Sequence, residues 1–348
     1  MGSVVKFAAV NTKIRVLESK FLNKQQIKAL IDCKSYKETL QYLKEYTNYG
    51  EALKNYNLVD IHRGELELIL KKSTIQKYNQ LIHYLIGDFR SLLKILFIKF
   101  EVEDLKVIIR GKYIGKTSEE LLPLIICDES ISSINFKELI LSKNIEVMIE
   151  KLKDTIYYKH ISNLAKDITQ DGLFRMEMTL DFIYFICLRK FVKKLSIEDR
   201  KIIEQINGIQ ADLLNLQWIL RGKKYYDLTP EVLFNYTIHD GSKLKEDDLK
   251  KLCYTKSLNE FYEMVEKLPY GDLFSKTKGT DYLIEREISV YLKNIYKRFK
   301  RENKMNISVL ISYLELELIE CRDIISIVEN KRYNQQNEEI FKYITATL

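Results

Sequence analysis

The sequence predicts an all-helical (all-α) protein, and three observations support this fold class. Only 12 glycines and 3 prolines occur among its 348 residues, so few turn and breaker signals separate long helices. Apolar residues recur three and four positions apart along most of the chain, which is the period of an amphipathic helix. A similar segment also occurs three times, which predicts a repeated architecture.

The first helices follow from apolar spacing and from capping residues. Residues 4–31 keep helical spacing and are predicted to be helical nearly throughout. Asp32 and Ser35 occupy N-cap positions before a second helix, which is predicted to begin near Tyr36 and to break at residues 48–50. A third long helix is predicted to begin near Val59.

Gly87 and Asp88 interrupt this third stretch, and helical spacing returns over residues 89–112 before a polar loop, GKYIGKTS. The later segment 173–194 is rich in apolar and aromatic residues, but charged residues interrupt it throughout. It therefore predicts a buried helix and not a membrane span. Because no segment approaches roughly eighteen consecutive apolar residues, any membrane association is expected to be peripheral.

Composition restricts the function only weakly. A formal net charge of +7 suits nucleic acid, anionic lipid headgroups or an acidic protein, and it selects none of them. The many lysines, isoleucines, asparagines and tyrosines resemble a bias toward A/T-rich codons, so we do not interpret the 23 tyrosines as base-stacking platforms. Five widely spaced cysteines without a CxxC pair indicate reduced thiols in a cytosolic protein.

The internal repeat is the strongest signal. The segments EVEDLKVIIRGKY, DLLNLQWILRGKK and ECRDIISIVENKR align without gaps and begin at Glu101, Asp212 and Glu320. Their shared apolar columns predict one buried helix face in each copy. Two polar columns also match, a short polar residue at the fourth position and a lysine near the end: Asp104, Asn215 and Asp323, then Lys112, Lys223 and Lys331.

The copies lie about 110 residues apart, close to a third of the chain. We therefore predict three helical units over residues 1–116, 117–227 and 228–348, with approximate boundaries and an N-terminal helix that could instead pack with the third unit. Arg110 and Arg221 occupy the same column of the repeat, the arginine column, and Glu329 takes that place in the third copy. A residue of opposite charge precedes each of them by about 43 positions. The hypothesis that such pairs are buried between neighbouring helices names Glu67 with Arg110, Glu177 with Arg221, and Arg286 with Glu329.

The pairs have competing explanations. Acids near a helix start and bases near its end stabilise any helix through its dipole, which needs no partner. Other charges compete for the same contacts: Glu65, Arg175, Glu285 and Glu287.

The sequence contains no constellation typical of catalysis. GKYIGKT is one residue short of a phosphate-binding loop and follows a predicted helix, so an interhelical loop is favoured. Four scattered histidines lack the spacing of zinc ligands. We expect no catalytic residues, no metal and no cofactor.

A basic stretch begins at Tyr291 and predicts a charged helix face. This face is either solvated or a contact surface for anionic headgroups or for polar or acidic segments of a partner. Its cations are Lys293, Lys297, Arg298, Lys300, Arg301 and Lys304.

Several of these segments resemble one known family, the C subunit of V/A-type ATPases and ATP synthases, which corresponds to the d subunit of eukaryotic vacuolar ATPases. The resemblance spans essentially the whole chain. Leu105 departs from the family pattern, which commonly has asparagine there. The segments concerned are AVNTKIRVLESKFLN from Ala9, LQYLKEYTNYG, the first two repeat copies, and LELELIECRDIISIVENKRYN near the end.

The resemblance implies a funnel-shaped fold of three pseudo-symmetric units. It also implies a non-catalytic rotor subunit on the cytoplasmic face of the membrane, which couples D- and F-type axle subunits to the membrane proteolipid ring. Nucleic-acid binding and membrane insertion are not expected, and the isolated chain is expected to be monomeric. An all-helical repeat scaffold and a nucleic-acid-binding protein remain the alternative interpretations.

Overall fold

The computed structural model describes residues 3–58, 61–127, 130–166, 169–226, 228–275, 280, 283–302 and 306–346. Helices dominate these ranges, and no strand occurs within them. The all-α class predicted from the sequence is confirmed. The chain divides into two compact units: a continuous unit, residues 71–195, and a discontinuous unit, which joins residues 1–70 to residues 196–348.

Among its described residues, the continuous unit contains the end of α5 (Arg63–Ile82), two long α-helices and four short ones, besides two short 3-10 helices. The long helices α6 and α11 pack against each other. Its helices are α6 (Gly87–Tyr113), α7 (Ser118–Leu121), α8 (Phe136–Ile140), α9 (Ile145–Glu150), α10 (Tyr158–Ile161) and α11 (Gln170–Val192).

The discontinuous unit begins with the first four helices of the chain and resumes at residue 196. Helix α5 (Arg63–Ile82) starts in this unit and runs past residue 70. The other helices are α1 (Ser3–Glu18), α2 (Lys24–Asp32), α3 (Tyr36–Tyr46), α4 (Gly50–Leu53), α12 (Ile197–Tyr225), α13 (Pro230–Asn235), α14 (Glu246–Cys253), α15 (Leu258–Val265), α16 (Gly271–Ser275), α17 (Ile284–Glu302), α18 (Ile307–Arg332) and α19 (Asn337–Ile340).

Residues 4–31 are helical nearly throughout, as predicted, but the chain breaks at residues 19–23, between α1 and α2. Asn23 caps α2: its side chain accepts from the backbone N–H of Gln26, and the Gln26 side chain accepts from the N–H of Asn23. This reciprocal capping box favours a helix start within an apolar pattern that otherwise continues. Of the two predicted N-caps further on, Ser35 caps α3, whereas Asp32 is the last residue of α2.

The break predicted at Gly87 is confirmed. Helix α5 ends at Ile82 and α6 begins at Gly87, whose φ of +54° lies in the left-handed region that favours glycine. The predicted start near Val59 lies outside the described residues, and α5 begins at Arg63.

The long helix α18 is the centre of the discontinuous unit. It packs against α1, α3, α12 and α17. Its residues Ile324 and Val328 are fully buried in a cluster with Leu40, Leu66 and Ile344, which come from both ends of the chain. Burial of this apolar surface holds the two separated parts of the unit together.

The three predicted helical units stay a prediction, and the compact units follow different boundaries. The continuous unit runs across the predicted boundary at residue 116. The reason is local: helix α6 packs against the helices that follow it, α7, α8, α9 and α11.

Candidate functional site

Each repeat copy lies on a long helix, namely α6, α12 or α18. The acid that begins each copy accepts a hydrogen bond from a tyrosine hydroxyl. Each of these three tyrosines is less than 4% exposed and stands directly before a short helix. The pairs are Tyr157 with Glu101, Tyr270 with Asp212 at 2.8 Å, and Tyr49 with Glu320 at 2.8 Å.

The short polar column binds the backbone of a later segment in every copy. Asp104 accepts from the N–H of Cys127 at 2.7 Å, and Asp323 accepts from the N–H of Thr345 at 2.7 Å. Asn215 accepts from the N–H of Ile238 and donates to its carbonyl, both at 2.8 Å. Hydrogen bonds of this kind satisfy backbone groups that would otherwise be costly to bury.

Burial changes the chemistry of the acids Asp104 and Asp212 in these columns. It raises the pKa of Asp104 to about 6, against the lowering effect of the backbone N–H groups of Cys127 and Ile126. Burial also raises the pKa of Asp212, which accepts from the backbone N–H groups of Lys243 and Leu244. Removal from water disfavours the charged carboxylate, and the hydrogen bonds offset only part of that effect.

The lysine column caps the ends of short helices. Lys112 Nζ donates to the carbonyl of Ile140 at 2.8 Å, where α8 ends. Lys223 Nζ donates in the same way to the carbonyls of Cys253 at 2.6 Å and Thr255 at 2.8 Å, where α14 ends. A cation at these carbonyls satisfies unpaired acceptors and complements the helix dipole.

The third lysine uses a side chain in place of the carbonyls. Lys331 Nζ donates to Asn337 Oδ1 at 2.7 Å, and Asn337 donates to Asp32, the last residue of α2, at 3.1 Å. Burial lowers the pKa of all three lysines of the column from the ordinary value.

Arg110 and Arg221 each contact an acid within their own compact unit. Arg110 binds both carboxylate oxygens of Glu177, and Arg221 binds Glu285, which the sequence identified as a competitor. The Arg110 and Arg221 side chains are 59% and 52% exposed, so each pair contributes about 1 kcal/mol or less. These two arginines lie on the surface because burial of the apolar columns turns the arginine column outward.

The third pair does not form in the structure. Arg286 donates to the carbonyl of Ile344 at 3.0 Å and pairs with Glu287, another of the predicted competitors. Glu329 lies beside Arg332 at 3.4 Å. The pairings of Glu67 with Arg110 and of Glu177 with Arg221 stay predictions.

The basic stretch lies mainly on α17, and part of it is used within the unit. Lys293 donates to Thr345 Oγ1 at 2.8 Å, Lys300 pairs with Glu18, and Arg298 lies 4.0 Å from Glu302. Lys304 lies outside the described residues.

Besides Arg298, two cations of the stretch are exposed on the surface, Lys297 and Arg301. Burial of part of Lys297, together with repulsion from neighbouring cations, lowers its pKa. Both residues line a pocket of about 460 Å³ with Asn294 and Lys300. This part of α17 therefore presents concentrated positive charge.

The remaining motifs have structural roles. Thr117, in the loop that resembles a phosphate-binding loop, caps α7: its side chain accepts from the N–H of Glu120, whose carboxylate accepts from the N–H of Thr117. Among the described residues, no cluster of three or more histidine, cysteine or acidic side chains could hold a metal. No helix in those ranges is long and apolar enough to cross a membrane.

Sequence reasoning missed the three tyrosines. Tyr49 and Tyr270 are each followed by glycine, and each follows a serine that caps the preceding helix, Ser35 or Ser257. In the other copy, Asn144 is the cap. A capping residue followed by a tyrosine before a short helix is thus a second repeated pattern in the sequence. The interpretation of the tyrosines as a codon bias left this pattern out of the prediction.

The fold and these contacts define an all-helical chain in which three long helices carry corresponding buried polar contacts. The family described as ATP synthase (C/AC39) subunit matches residues 10–343. The chain therefore belongs to this family, and the resemblance is confirmed. It is a subunit of an ATPase complex, with which ion transport is associated through the family.

Curated relatives agree with this assignment, and each is named as the C subunit of an A-type ATP synthase. The chain is 24% identical to the relative from Methanocaldococcus jannaschii over 96% of this chain and 85% of the relative. It is 25% identical to the relative from Methanosarcina mazei, over 80% of this chain and 74% of the relative. For Methanothermobacter thermautotrophicus the identity is 22% over 98% of this chain and 88% of the relative.

Proposed function

We propose that the chain is the non-catalytic central-stalk, or rotor, subunit of a V/A-type rotary ATPase. It couples D- and F-type axle subunits to the membrane proteolipid ring, and so links ion transport to ATP hydrolysis or synthesis. The observation that carries this proposal is the family match over residues 10–343, which leaves little of the chain for another activity.

The proposed architecture is a funnel of three pseudo-symmetric helical units. Three sets of corresponding contacts support the pseudo-symmetry: acid to tyrosine, short polar residue to backbone, and lysine to a short helix. Helices α6 and α12 bind segments that follow them in the chain. Helix α18 binds the segment that follows it and also Tyr49, from the first part of the chain. We therefore propose that each unit begins with its repeat helix, at α6, α12 and α18.

Mechanical coupling requires a body that resists deformation under load. The buried acids and lysines fix each long helix to short helices at several points along its length, and such networks hold one arrangement because breaking them exposes unpaired polar groups. Function in this proposal is spread over contact surfaces and needs no reactive side chain.

The proposed contact surface on α17 uses Lys297 and Arg301, two exposed cations of the basic stretch. Its partners are acidic residues of the axle or polar loops of the ring on the cytoplasmic face of the membrane. Complementary charge across such a surface accelerates association and fixes its register.

The test is a strain that lacks this chain. We expect membranes from this strain to lose ATP-driven ion transport while the catalytic subunits keep hydrolysing ATP, because axle and ring are no longer connected. Complementation with the wild-type chain restores transport, and the chain co-purifies with axle and ring subunits. Full ion transport without the chain would refute the rotor proposal.

The α17 surface has its own test in the same strain. Lys297→Glu with Arg301→Glu is expected to reduce co-purification with the axle or the ring at least severalfold. Lys251→Glu with Lys250→Glu, on α14, changes the charge equally and serves as the control. Equal assembly of the two variants would place the contact surface elsewhere.

A further inference from the structure

The continuous unit contains a cavity of about 510 Å³ formed by α6, α10, α11 and nearby loops. Its walls are largely apolar, with Ile95 and Ile98 from α6 and Ile186 and Phe191 from α11. Small-molecule sites typically enclose about 300–1,000 Å³ and combine apolar walls with a few polar groups. The cavity has the size and lining of a ligand site.

Four lysines line this cavity, and none of them forms an ion pair within the part of the chain that the structure describes. The pKa of His160 is lowered mainly by burial and also by the charges of Lys159 and Lys190. Burial raises the pKa of Cys187, and the same two charges oppose that rise. The four residues are Lys94, Lys159, Lys190 and Lys194.

The acids of the cavity do not cancel this charge. Only two carboxyl groups line it, Asp154 and Glu101, against four lysines. Glu101 is already bound by the Tyr157 hydroxyl, and burial raises its pKa. The cavity therefore attracts an anion.

One of the four lysines, Lys159, is particular to this copy of the repeat. Lys159 stands two positions after Tyr157, and the corresponding positions after Tyr49 and Tyr270 hold the acids Glu51 and Asp272. In those two copies the tyrosine forms the equivalent hydrogen bond although the position two residues later holds an acid. The fold itself therefore does not require a cation here.

We propose that this cavity binds an anionic phospholipid, with an acyl chain against the isoleucines and Phe191 and the phosphate among the lysines. A free phosphate would leave the apolar walls without a partner, and a zwitterionic lipid would leave the lysines uncompensated. An amphiphile with a net negative head satisfies both surfaces, because apolar burial and charge pairing act at the two ends of one molecule. The site is independent of the rotor proposal, since the isolated chain contains all of it.

Cys187 gives a direct readout because its half-buried thiol lines the cavity. The purified full-length chain is alkylated with iodoacetamide, and mass spectrometry follows Cys187, with free glutathione in the same solution as the reference for reagent reactivity. Monomeric short-chain phosphatidylglycerol is expected to slow Cys187 alkylation at least fivefold without slowing the alkylation of glutathione. Phosphatidylcholine with the same chains and free glycerol phosphate are expected to change the rate less than twofold.

Each other outcome contradicts the proposal. Equal protection by glycerol phosphate would show a simple anion site, and equal protection by phosphatidylcholine would show an apolar site without charge selection. Lys190→Glu, at an exposed position, is expected to weaken phosphatidylglycerol protection at least tenfold, whereas Lys297→Glu on α17 leaves it unchanged. Retained protection in Lys190→Glu would overturn the proposed role of the lysines.

Discussion

The Tyr49 hydroxyl donates a hydrogen bond to Glu320 at 2.8 Å, although the two residues are 271 positions apart in the sequence. The backbone N–H of Leu22 donates to the other carboxylate oxygen of Glu320 at 2.9 Å. Arg332, further along α18, donates to the carbonyl of Ile61 at 2.8 Å. The first seventy residues are therefore bound to the last repeat helix at several points.

Tyr49→Phe is expected to lower the free energy of unfolding by about 1–3 kcal/mol, because Glu320 loses a buried donor while the ring still fills its place. Urea unfolding monitored by circular dichroism measures the change. Tyr46→Phe is the matched control, since Tyr46 is 63% exposed on α3 and should change stability by less than about 0.5 kcal/mol. Equal effects of the two substitutions would contradict a structural role for the Tyr49 bond.

Asp104→Asn is expected to change how stability depends on pH. Because the pKa of Asp104 is raised from 3.8 to about 6 in the folded chain, the folded state binds more protons than the unfolded state in this interval. The stability that this group contributes is present at low pH and is lost as the pH rises through about 6. Asparagine fits the site chemically, since Asn215 occupies the same column.

The measurement is the difference in free energy of unfolding between wild type and Asp104→Asn, determined at pH values from about 4 to about 8. As the pH rises across this range, we expect the free energy of unfolding of the variant to increase by about 1–3 kcal/mol relative to that of the wild type. Asp154→Asn, at an exposed carboxylate, should follow the wild-type curve. A constant difference between wild type and Asp104→Asn would show that Asp104 does not titrate there.

Lys223→Met is expected to destabilise the chain by about 1–3 kcal/mol, because the carbonyls of Cys253 and Thr255 lose their shared donor. Methionine keeps much of the apolar stem, so the loss reports mainly the charge and its hydrogen bonds. Lys251→Met on α14 removes an exposed lysine and is the control. Thermal unfolding should show a lower midpoint for Lys223→Met alone, and equal midpoints would rule out the helix-capping role.

Gly271→Ala is expected to destabilise the turn after Tyr270. A Cβ atom there would lie 2.5 Å from the backbone carbonyl oxygen of Glu266, which cannot move without shifting the chain. Gly64 on α5 has nothing within 4 Å of the same atom, so Gly64→Ala should be neutral or stabilise by up to about 1 kcal/mol. Urea unfolding should show a lower free energy of unfolding for Gly271→Ala and no loss for Gly64→Ala. An unchanged free energy of unfolding in Gly271→Ala would show that the turn relaxes.

The predictable features were those encoded locally. Helical spacing and the three aligned segments identified α6, α12 and α18, and glycine identified the break at Gly87. The apolar pattern could not reveal the break at Asn23, because the capping box that makes it consists of two polar side chains within a continuing helical period.

The partners of the charged side chains were harder to predict from the sequence, because they depend on which helices pack together. Arg221 has several acids within similar sequence distances, and only packing selects Glu285. Sequence spacing placed the third partnership between Arg286 and Glu329, whereas Arg286 turns to the carbonyl of Ile344 near the end of the chain. The acid-to-tyrosine pairs join positions 56 and 58 apart in two copies but 271 apart in the third, so no single spacing identifies them.

The bond between Tyr49 and Glu320 also constrains the order in which the chain can fold during synthesis. The continuous unit has all its own partners once residue 195 has emerged from the ribosome, whereas α2, α3 and α4 meet α18 only after more than 300 residues have been made. Domains usually fold from the N-terminus during synthesis. Here the first segment made is among the last to be buried, and its exposed leucines and isoleucines must stay unaggregated until α18 arrives.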